Sequence, residues 1–458
     1  MVTCHDELLD SPEGLERLIC ERVYLTNCGN LRHALVCLRR AATILQLMGL
    51  HRYKPQGMAP KLLDPSTRVS IEFTWGHIAY LERYISLLLG LPTSITSARF
   101  ATDKKSAHQT DAEWFEKTQI DICELIISRN QDRTYDFTTT QNIEGLLNKV
   151  AGSMPVQWWK PMEFYPGIGP VDMMSRMISA QMQIIHYNLL TVLHLPFILQ
   201  PNTLDYVFDY NRETCMYASR EVLTRFIYFR SIVQVVYCCR PVDFCAFTAA
   251  MTLLLAHLSR SGQTSDEQRV GDRALIEKTL ETLDELHRLN DDDLSRETAR
   301  ITRRLLELEK TIGNDGVAYS CQLVKAHHSS QEGADLDPSQ GFCLQVPYFG
   351  YVSLAAEPRV VRRTAGPEAS SFYQYATPHP GQSWLTQQLP LTISQPRFHD
   401  SQSHIDLDMP MPEIADSDEW AIQGVDTAFF DMLIGGAGVG GGRGSELGNR
   451  DTDWSNRQ

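Results

Sequence analysis

One acidic residue stands inside a long apolar stripe, where it could serve as a buried acid or as one half of an ion pair. This residue is Glu82, within the stretch Arg68 to Ile95. Residues separated alternately by four and three positions lie on one face of a helix. That spacing is shown by Ile71, Trp75, Ile78, Glu82, Ile85 and Leu89. An unpaired carboxylate is costly to bury, so we expect Glu82 to be hydrogen-bonded or ion-paired. Because structural ion pairs perturb acids as catalytic sites do, we favour the structural interpretation.

Three consecutive aspartates could bind a metal ion. Asp291, Asp292 and Asp293 stand between two predicted helices, a setting in which isoprenoid enzymes can bind magnesium. Those enzymes use Asp-Asp-x-x-Asp and a second acidic set, whereas this chain has Ser295 and then Ala299 at the expected positions. Hard cations need several converging oxygens, which this pattern does not supply. We predict helix N-cap charge here, with a magnesium-dependent isoprenoid enzyme as the alternative.

The remaining motifs do not make a catalytic set. Gly436, Gly438 and Gly441 match the dinucleotide fingerprint by spacing, but no buried strand precedes them and only 17 residues follow, too few for the ribose-binding acid. The sequence has no Gly-x-Ser-x-Gly elbow, no His-Glu-x-x-His and no Walker loop. His77 and Glu82 are five residues apart, off the spacing of a helical metal pair. We predict that the protein is not an enzyme.

The cysteines indicate neither zinc nor a disulfide framework. There are eleven, an odd number, and none forms a Cys-x-x-Cys pair, so no metal and no cofactor is predicted in this chain. Their irregular spacing and the lack of Asn-x-Ser/Thr sites indicate a reducing intracellular compartment. The acidic N-terminus does not resemble a signal peptide. The most apolar stretches, around residues 190 and 254, are too short or too interrupted for a bilayer, so no membrane contact is expected.

Length and periodicity predict a helical protein. The 458 residues can bury a large core without disulfides or metals, and the net charge of −14 disfavours broad binding to a phosphate backbone. Helical spacing dominates residues 1–313, where long period-two alternation is absent. The predicted fold class is all-α: a large helical domain over residues 1–313, followed by a mostly disordered acidic C-terminal tail.

Individual helices can be located from their stripes and stop signals. One begins at Leu31 and stops at Gly49, a residue suited to a left-handed helix end. A wide apolar arc from Met182 to Phe197 predicts a buried helix. Further helices are predicted around residues 215–229, 244–258, 276–289 and 301–312, the third preceded by a capping box of Ser265 and Gln268.

The tail divides by composition into three parts. Residues 314–400 have too little apolar surface to offset the entropy of ordering, so they are predicted to be a disordered linker. Residues 401–434 carry eight acids and no Lys or Arg, and among the acids stand Trp420, Phe429, Phe430 and Leu433. Acids interleaved with large apolar groups are typical of activation segments that fold on a partner, although a merely solubilising tail is the alternative. Residues 435–458 are predicted to be a Gly-rich disordered tail.

Several short motifs, in the same order along the chain, resemble the central regulatory domain of fungal transcription factors of the zinc binuclear cluster class. The residues that carry the resemblance are Arg68, Trp75, Glu82, Arg83, Gly90 and Pro92, and then His194, Pro196 and Phe197. The family usually has a second Trp at the position of Gly76, Asp at Glu82, and Arg at both Leu91 and Leu195. With those two arginines replaced, three candidates remain as the partner of Glu82: Arg68, Arg83 and Arg99.

The resemblance covers residues ~30 to ~310 and implies a nuclear regulator of RNA polymerase II transcription, often for a metabolic or secondary-metabolite gene cluster. It implies a coactivator or the general transcription machinery as partner, and a homo- or heterodimer. The family's DNA-binding module holds two zinc ions with six cysteines, which this chain lacks. The protein could therefore bind zinc and contact DNA directly only if a six-cysteine module has been lost from the gene model. Alternatively, the protein acts through a DNA-binding partner, as a co-regulator, or antagonises full-length relatives.

Overall fold

The computed structural model describes ten stretches of the chain. They are residues 6–52, 71–96, 111–132, 135–160, 168–199, 206–258, 266–315, 318–324, 342–346 and 350–357. Arg68, Arg99, Ser265 and the predicted activation segment with Trp420, Phe429, Phe430 and Leu433 lie outside these residues, as does the Gly-rich tail. The domain boundaries given above therefore stay predictions.

Helices dominate the described residues and confirm the all-α class. They are α1 Asp6–Leu9, α2 Pro12–Asn27, α3 Leu31–Leu47, α4 Ile71–Leu89, α5 Asp111–Asp132, α6 Phe137–Ala151, α7 Pro170–Leu199, α8 Tyr206–Arg230, α9 Pro241–Leu258, α10 Asp266–Asn290 and α11 Asp293–Asp315. Short 3-10 turns occupy Leu50–Arg52 and Val156–Trp159. Each helix predicted from periodicity is present, and α3 ends before Gly49, whose φ of +72° matches the expected left-handed stop.

The helices enclose one continuous hydrophobic core, in which α7, α8 and α9 pack against one another. Helices α7 and α9 are long and apolar enough to cross a membrane, which corrects the sequence argument that these stretches were too short or too interrupted. The α7 helix continues through His186 and even through Pro196. Their apolar windows are 100% and 89% buried inside the protein, so both are accounted for as core helices.

A small antiparallel sheet follows the helices and corrects the prediction that residues 314–400 lack regular structure throughout. Its strands are β1 Ala318–Val324, β2 Phe342–Val346 and β3 Gly350–Glu357, in the order β1-β3-β2. Register pairs Cys321 with Leu354, and Leu354 with Phe342. Apolar residue types thus meet at alternate positions of three neighbouring strands. Each run is short, so its period-two signal is weak in the sequence.

Candidate functional site

The Gly90-Leu91-Pro92 motif turns the chain back along the helix that it ends. Gly90 follows the last residue of α4 and has a φ of +68°, a left-handed conformation that glycine adopts without a Cβ penalty. The Leu91 N–H donates to the Ser86 carbonyl at 2.9 Å, and the Gly90 N–H donates to the Leu87 carbonyl at 3.3 Å. These bonds are those of a Schellman-type helix end. They direct residues 91–96 back toward Glu82.

Glu82 is fully buried and is the acceptor at the centre of this returning loop. Its Oε1 accepts from the Ser94 backbone N–H at 2.9 Å and from the Ser94 hydroxyl at 3.0 Å, and its Oε2 accepts from the Thr93 hydroxyl. Arg39 on α3 donates its Nε–H to the same carboxylate at 3.2 Å. Arg39 also donates to the Pro92 carbonyl at 2.5 Å. The carboxylate therefore holds the loop and α3 to α4, as a structural ion pair should.

Arg83, the next residue, is also fully buried and is bonded in a different direction. Its guanidinium pairs with Asp121 at 3.1 Å and with Glu124 at 2.5 Å, both on α5. It also donates to the Ile95 carbonyl at 2.9 Å and to the Ile120 carbonyl at 3.3 Å. Arginine suits this place because its planar, permanently charged fork presents several donors at once.

We call the set of Arg39, Glu82, Arg83 and the loop 91–96 the Glu82–Arg83 clasp. It confirms that Glu82 is buried and partnered. Of the three candidate partners, Arg83 pairs with α5 instead, while Arg68 and Arg99 lie outside the described residues. The partner that the structure describes, Arg39, was not among the candidates. Periodicity shows which face a residue occupies but not which helix covers that face, so a pairing across 43 positions could not be read from it. The carboxylate is enclosed by donors, which suits it to holding structure rather than to moving protons.

The other signature residues of this region lie around the clasp. Trp75 is half-buried and meets His51 edge to face, with ring centroids 6.4 Å apart. Leu91, at the position where the family usually has Arg, is 36% exposed. Leu195, the second such position, is buried in the core. Neither place therefore holds a charge in this chain.

The LHLPF motif forms a second buried polar site near the end of α7. His194 is fully buried, and its Nδ1 lies 2.7 Å from the Asn211 Oδ1, which requires Nδ1 to donate. Burial lowers the pKa of His194 to about 4 despite this bond, so the ring is neutral. Its Nε2 faces Glu144 at 3.6 Å, and burial raises the pKa of Glu144, which is compatible with a protonated acid there.

Pro196 and Phe197 complete this motif inside the helix. Proline has no N–H to donate, which disturbs the helical bonding one turn earlier. Nearby, the Leu193 carbonyl accepts from the Arg129 guanidinium of α5 at 2.7 Å. Phe197 is buried. The motif therefore fixes the end of α7 to α5 and α8.

The aspartate run belongs to a third buried network and confirms the N-cap interpretation. Asp292 accepts from the Ser295 backbone N–H at 2.9 Å, at the start of α11. Its carboxylate is held by Arg240 at 2.6 and 2.9 Å. Burial alone raises the pKa of an acid, but the Arg240 bonds lower the pKa of Asp292 below its ordinary value. With both oxygens engaged, Asp292 is not placed to bind magnesium, and in the described ranges no group of three or more His, Cys, Asp or Glu residues could hold a metal.

Arg240 connects this network to the rest of the bundle. It pairs with Asp243 at 3.2 Å, and Asp243 is held in turn by Arg230 at 2.7 Å. Arg240 also donates through its backbone N–H to the Asn27 Oδ1 at 3.2 Å and through Nε to the Asn27 carbonyl. The ends of α2, α8, α9 and α10–α11 thus meet at one buried set of charges, of which the sequence had indicated only the aspartate run.

The fold and these sites define a class: a helical domain held together by buried ion pairs, without a catalytic set among the residues described. No family model matches the chain and no solved structure resembles it. It is 36% identical over 367 residues to a dehydrocurvularin biosynthesis regulator of Alternaria cinerariae, a match covering 78% of this chain and 47% of that protein. It is 32% identical to the dehydrocurvularin biosynthesis regulator of Aspergillus terreus, covering 95% of this chain and 66% of the relative.

A third relative, from Penicillium aethiopicum, bears the name "Probable transcription factor gsfR1" and is 32% identical over 96% of this chain and 67% of its own length. The chain belongs to the family of fungal transcription factors that these regulators represent. The chain spans about half to two thirds of the length of these relatives. The relatives are named as regulators and not as enzymes, in agreement with the prediction made from the sequence.

Proposed function

We propose that this chain is the regulatory part of a fungal transcription factor that acts in the nucleus on RNA polymerase II transcription of a secondary-metabolite gene cluster. The observation that carries the proposal is the likeness to two named biosynthesis regulators, one of them over 95% of this chain. A protein of this kind acts through the macromolecules that it binds.

We propose that this chain does not contact DNA through its own residues. The sequence has no Cys-x-x-Cys pair and a net charge of −14, which suits neither a zinc cluster nor a broad phosphate-binding surface. DNA would be reached through a zinc module outside this chain or through a DNA-binding partner. The second case, a co-regulator or antagonist that forms dimers with a full-length relative, is the alternative function.

The acidic-aromatic segment 401–434 is proposed to recruit a coactivator or the general transcription machinery. Its eight acids keep Trp420, Phe429, Phe430 and Leu433 hydrated until an apolar groove receives them. The proposal depends on these apolar groups and not on the charge alone. A solubilising tail would depend on the charge alone.

A reporter assay tests the activator role. Residues 360–458, fused to an unrelated DNA-binding domain, should activate transcription, and replacing Trp420, Phe429 and Phe430 by Ala should abolish that activity. Trp384→Ala is the matched control, because it removes a tryptophan from the same tail outside the acidic segment. Equal activity of the triple variant and the unsubstituted fusion, or no activity of either, would remove the claim.

Transcript measurements test the pathway role. Removing the coding sequence from its host should lower the transcripts of one biosynthetic gene cluster together, and restoring it should return them. An unchanged transcript pattern under conditions in which the cluster is normally expressed would contradict the proposal. If transcripts rise on removal, the antagonist alternative is favoured.

A further inference from the structure

Two neighbouring cysteines form a reactive pair in the loop between α8 and α9. The Sγ atoms of Cys238 and Cys239 lie 3.6 Å apart, and both residues are half-buried. We propose that this pair is a modification site: a hydroperoxide oxidises it to a disulfide between the two residues, and a thiol reverses the reaction. This site is independent of the transcriptional role proposed above.

The other cysteines whose side chains the structure describes provide the contrast; they do not include Cys4, Cys321 and Cys343. Four are buried in the core: Cys37, Cys123, Cys215 and Cys245. Burial raises the pKa of Cys37 to about 11 and the pKa values of Cys123 and Cys245 to about 12, which keeps them as unreactive thiols. Cys20 is exposed and Cys28 is half-buried, but no second sulfur is recorded within hydrogen-bonding distance of either. Accessibility combined with a sulfur partner is therefore found at Cys238 and Cys239.

The surroundings of the pair favour a thiolate on Cys238. A hydrogen bond from Cys239 lowers the pKa of Cys238 to about 6. Partial burial acts in the opposite direction and raises this pKa, while the positive charge of Arg230 lowers it further. The same bond and burial raise the pKa of Cys239. The pair precedes Pro241, the first residue of α9, and the positive end of a helix further stabilises an anion.

The reaction can be written with all atoms accounted for. The Cys238 thiolate attacks the O–O bond of a hydroperoxide and becomes a sulfenic acid. The departing oxygen takes up a proton from the solvent, which received the thiol proton of Cys238, and leaves as the alcohol, or as water when the oxidant is hydrogen peroxide. The Cys239 sulfur then attacks the Cys238 sulfur, its proton leaves with the sulfenic hydroxyl as water, and the S–S bond forms. The two sulfurs are oxidised together by two electrons and the peroxide is reduced by two. Closing a bond of ~2.05 Å from 3.6 Å requires about 1.5 Å of movement. Because adjacent Cα atoms are only ~3.8 Å apart, closer than the ~4.4–6.8 Å of ordinary disulfides, the backbone must adjust together with the two side chains.

The position of the pair connects its chemistry to the buried charges. Cys239 has a φ of +57°, a strained conformation for a residue with a Cβ. The next residue, Arg240, is fixed by Asn27 on one side and Asp292 on the other. Closing the ring changes the backbone directly before Arg240. Oxidation should therefore change the contacts of Arg240 at the junction of α2, α9 and α11.

The test uses the full chain and hydrogen peroxide, with each thiol followed by differential alkylation and peptide mass mapping. Cys238 and Cys239 should become unreactive toward alkylation together, with the loss of two hydrogen atoms from their shared peptide, and dithiothreitol should restore both. With its pKa lowered to about 6, Cys238 should be about half ionised at pH 6. Allowing for the lower nucleophilicity of a less basic thiolate, oxidation should be about tenfold faster than that of a single-cysteine peptide with a pKa near 8.5.

Variants separate the two steps. In Cys239→Ser the reaction should stop at the sulfenic acid of Cys238, which a dimedone probe labels, while Cys238→Ser should leave Cys239 reduced. Cys20→Ser is the control, because it removes an exposed thiol and should leave oxidation of the pair unchanged. Oxidation of Cys20 before the pair in the unsubstituted chain, or a sulfenic acid on Cys238 while Cys239 still alkylates, would overturn the proposal. That readout needs no variant, so it stands even where a substitution prevents folding.

Discussion

Removing the charge from Glu82 should destabilise the bundle in a graded way. In Glu82→Leu the Ser94 N–H and three hydroxyls lose their buried acceptor. Breaking a buried pair costs about 3–5 kcal/mol, and since Arg39 is 37% exposed and can be rehydrated, we expect about 3 kcal/mol. In Glu82→Gln the remaining oxygen can still accept from Ser94, while Thr93 can reorient to accept from the new amide. That loss should be about 1 kcal/mol, the typical contribution of one hydrogen bond.

Urea unfolding of the full chain, followed by the helical circular dichroism signal, measures both variants. Glu281→Gln is the matched control, because Glu281 forms a pair with Lys278 at 2.8 Å in which both side chains are at least half exposed. Such surface pairs contribute little, so its midpoint should stay at the wild-type value. Limited proteolysis should also cut residues 91–96 faster in Glu82→Leu than in wild type. Equal losses of unfolding free energy in Glu82→Leu and Glu82→Gln, or no difference of either variant from the control, would contradict the role of Glu82 as a buried acceptor.

Three further outcomes are expected. Arg83→Lys should lower the free energy of unfolding by about 2 kcal/mol in the same urea assay, because one ammonium cannot replace a fork that serves two carboxylates and two carbonyls. Stability should fall as the pH is lowered from about 6.5 to about 4, since the unfolded chain binds protons there that the folded chain excludes from His77, His186 and His194. For His194 alone the loss at pH 5 is about 2 kcal/mol, so His194→Asn should flatten the pH dependence of the urea midpoint. Asp292→Ala should lower the melting temperature by at least several degrees, because it removes the α11 cap and leaves Arg240 with one fewer carboxylate.

The sequence could predict elements better than it could predict contacts. The apolar stripe through Glu82 predicted both the position of α4 and the burial of Glu82, because helix periodicity is a local property of the sequence. The stop at Gly49 was also predictable, since glycine is favoured where φ is positive. By contrast, the charged partner on α3 depends on how two helices cross, and no pattern within either helix determines that crossing.

Four residues that carry the family resemblance lie close together in the structure, but the resemblance did not indicate which residues they contact. Glu82, Arg83, Gly90 and Pro92 all belong to the Glu82–Arg83 clasp or to the turn that leads into it. The buried junction around Arg240 was missed, because its charges come from four separate elements. Only Asp292 stood out in the sequence, as a helix cap, and nothing there pointed to its arginine partner. The sheet was missed for a related reason, since short strands become recognisable only through their pairing.

Glu82 and Arg83 are adjacent in the chain, yet each is tied to a different helix. Among relatives, replacement of the acid should therefore be accompanied by change at position 39. Replacement of the base should be accompanied by change at positions 121 and 124. In an alignment of relatives, positions 82 and 83 would then vary independently of each other, while each varies together with positions on the helix that it contacts. Such covariation would report which helices cross at this site, and a single sequence does not contain that information.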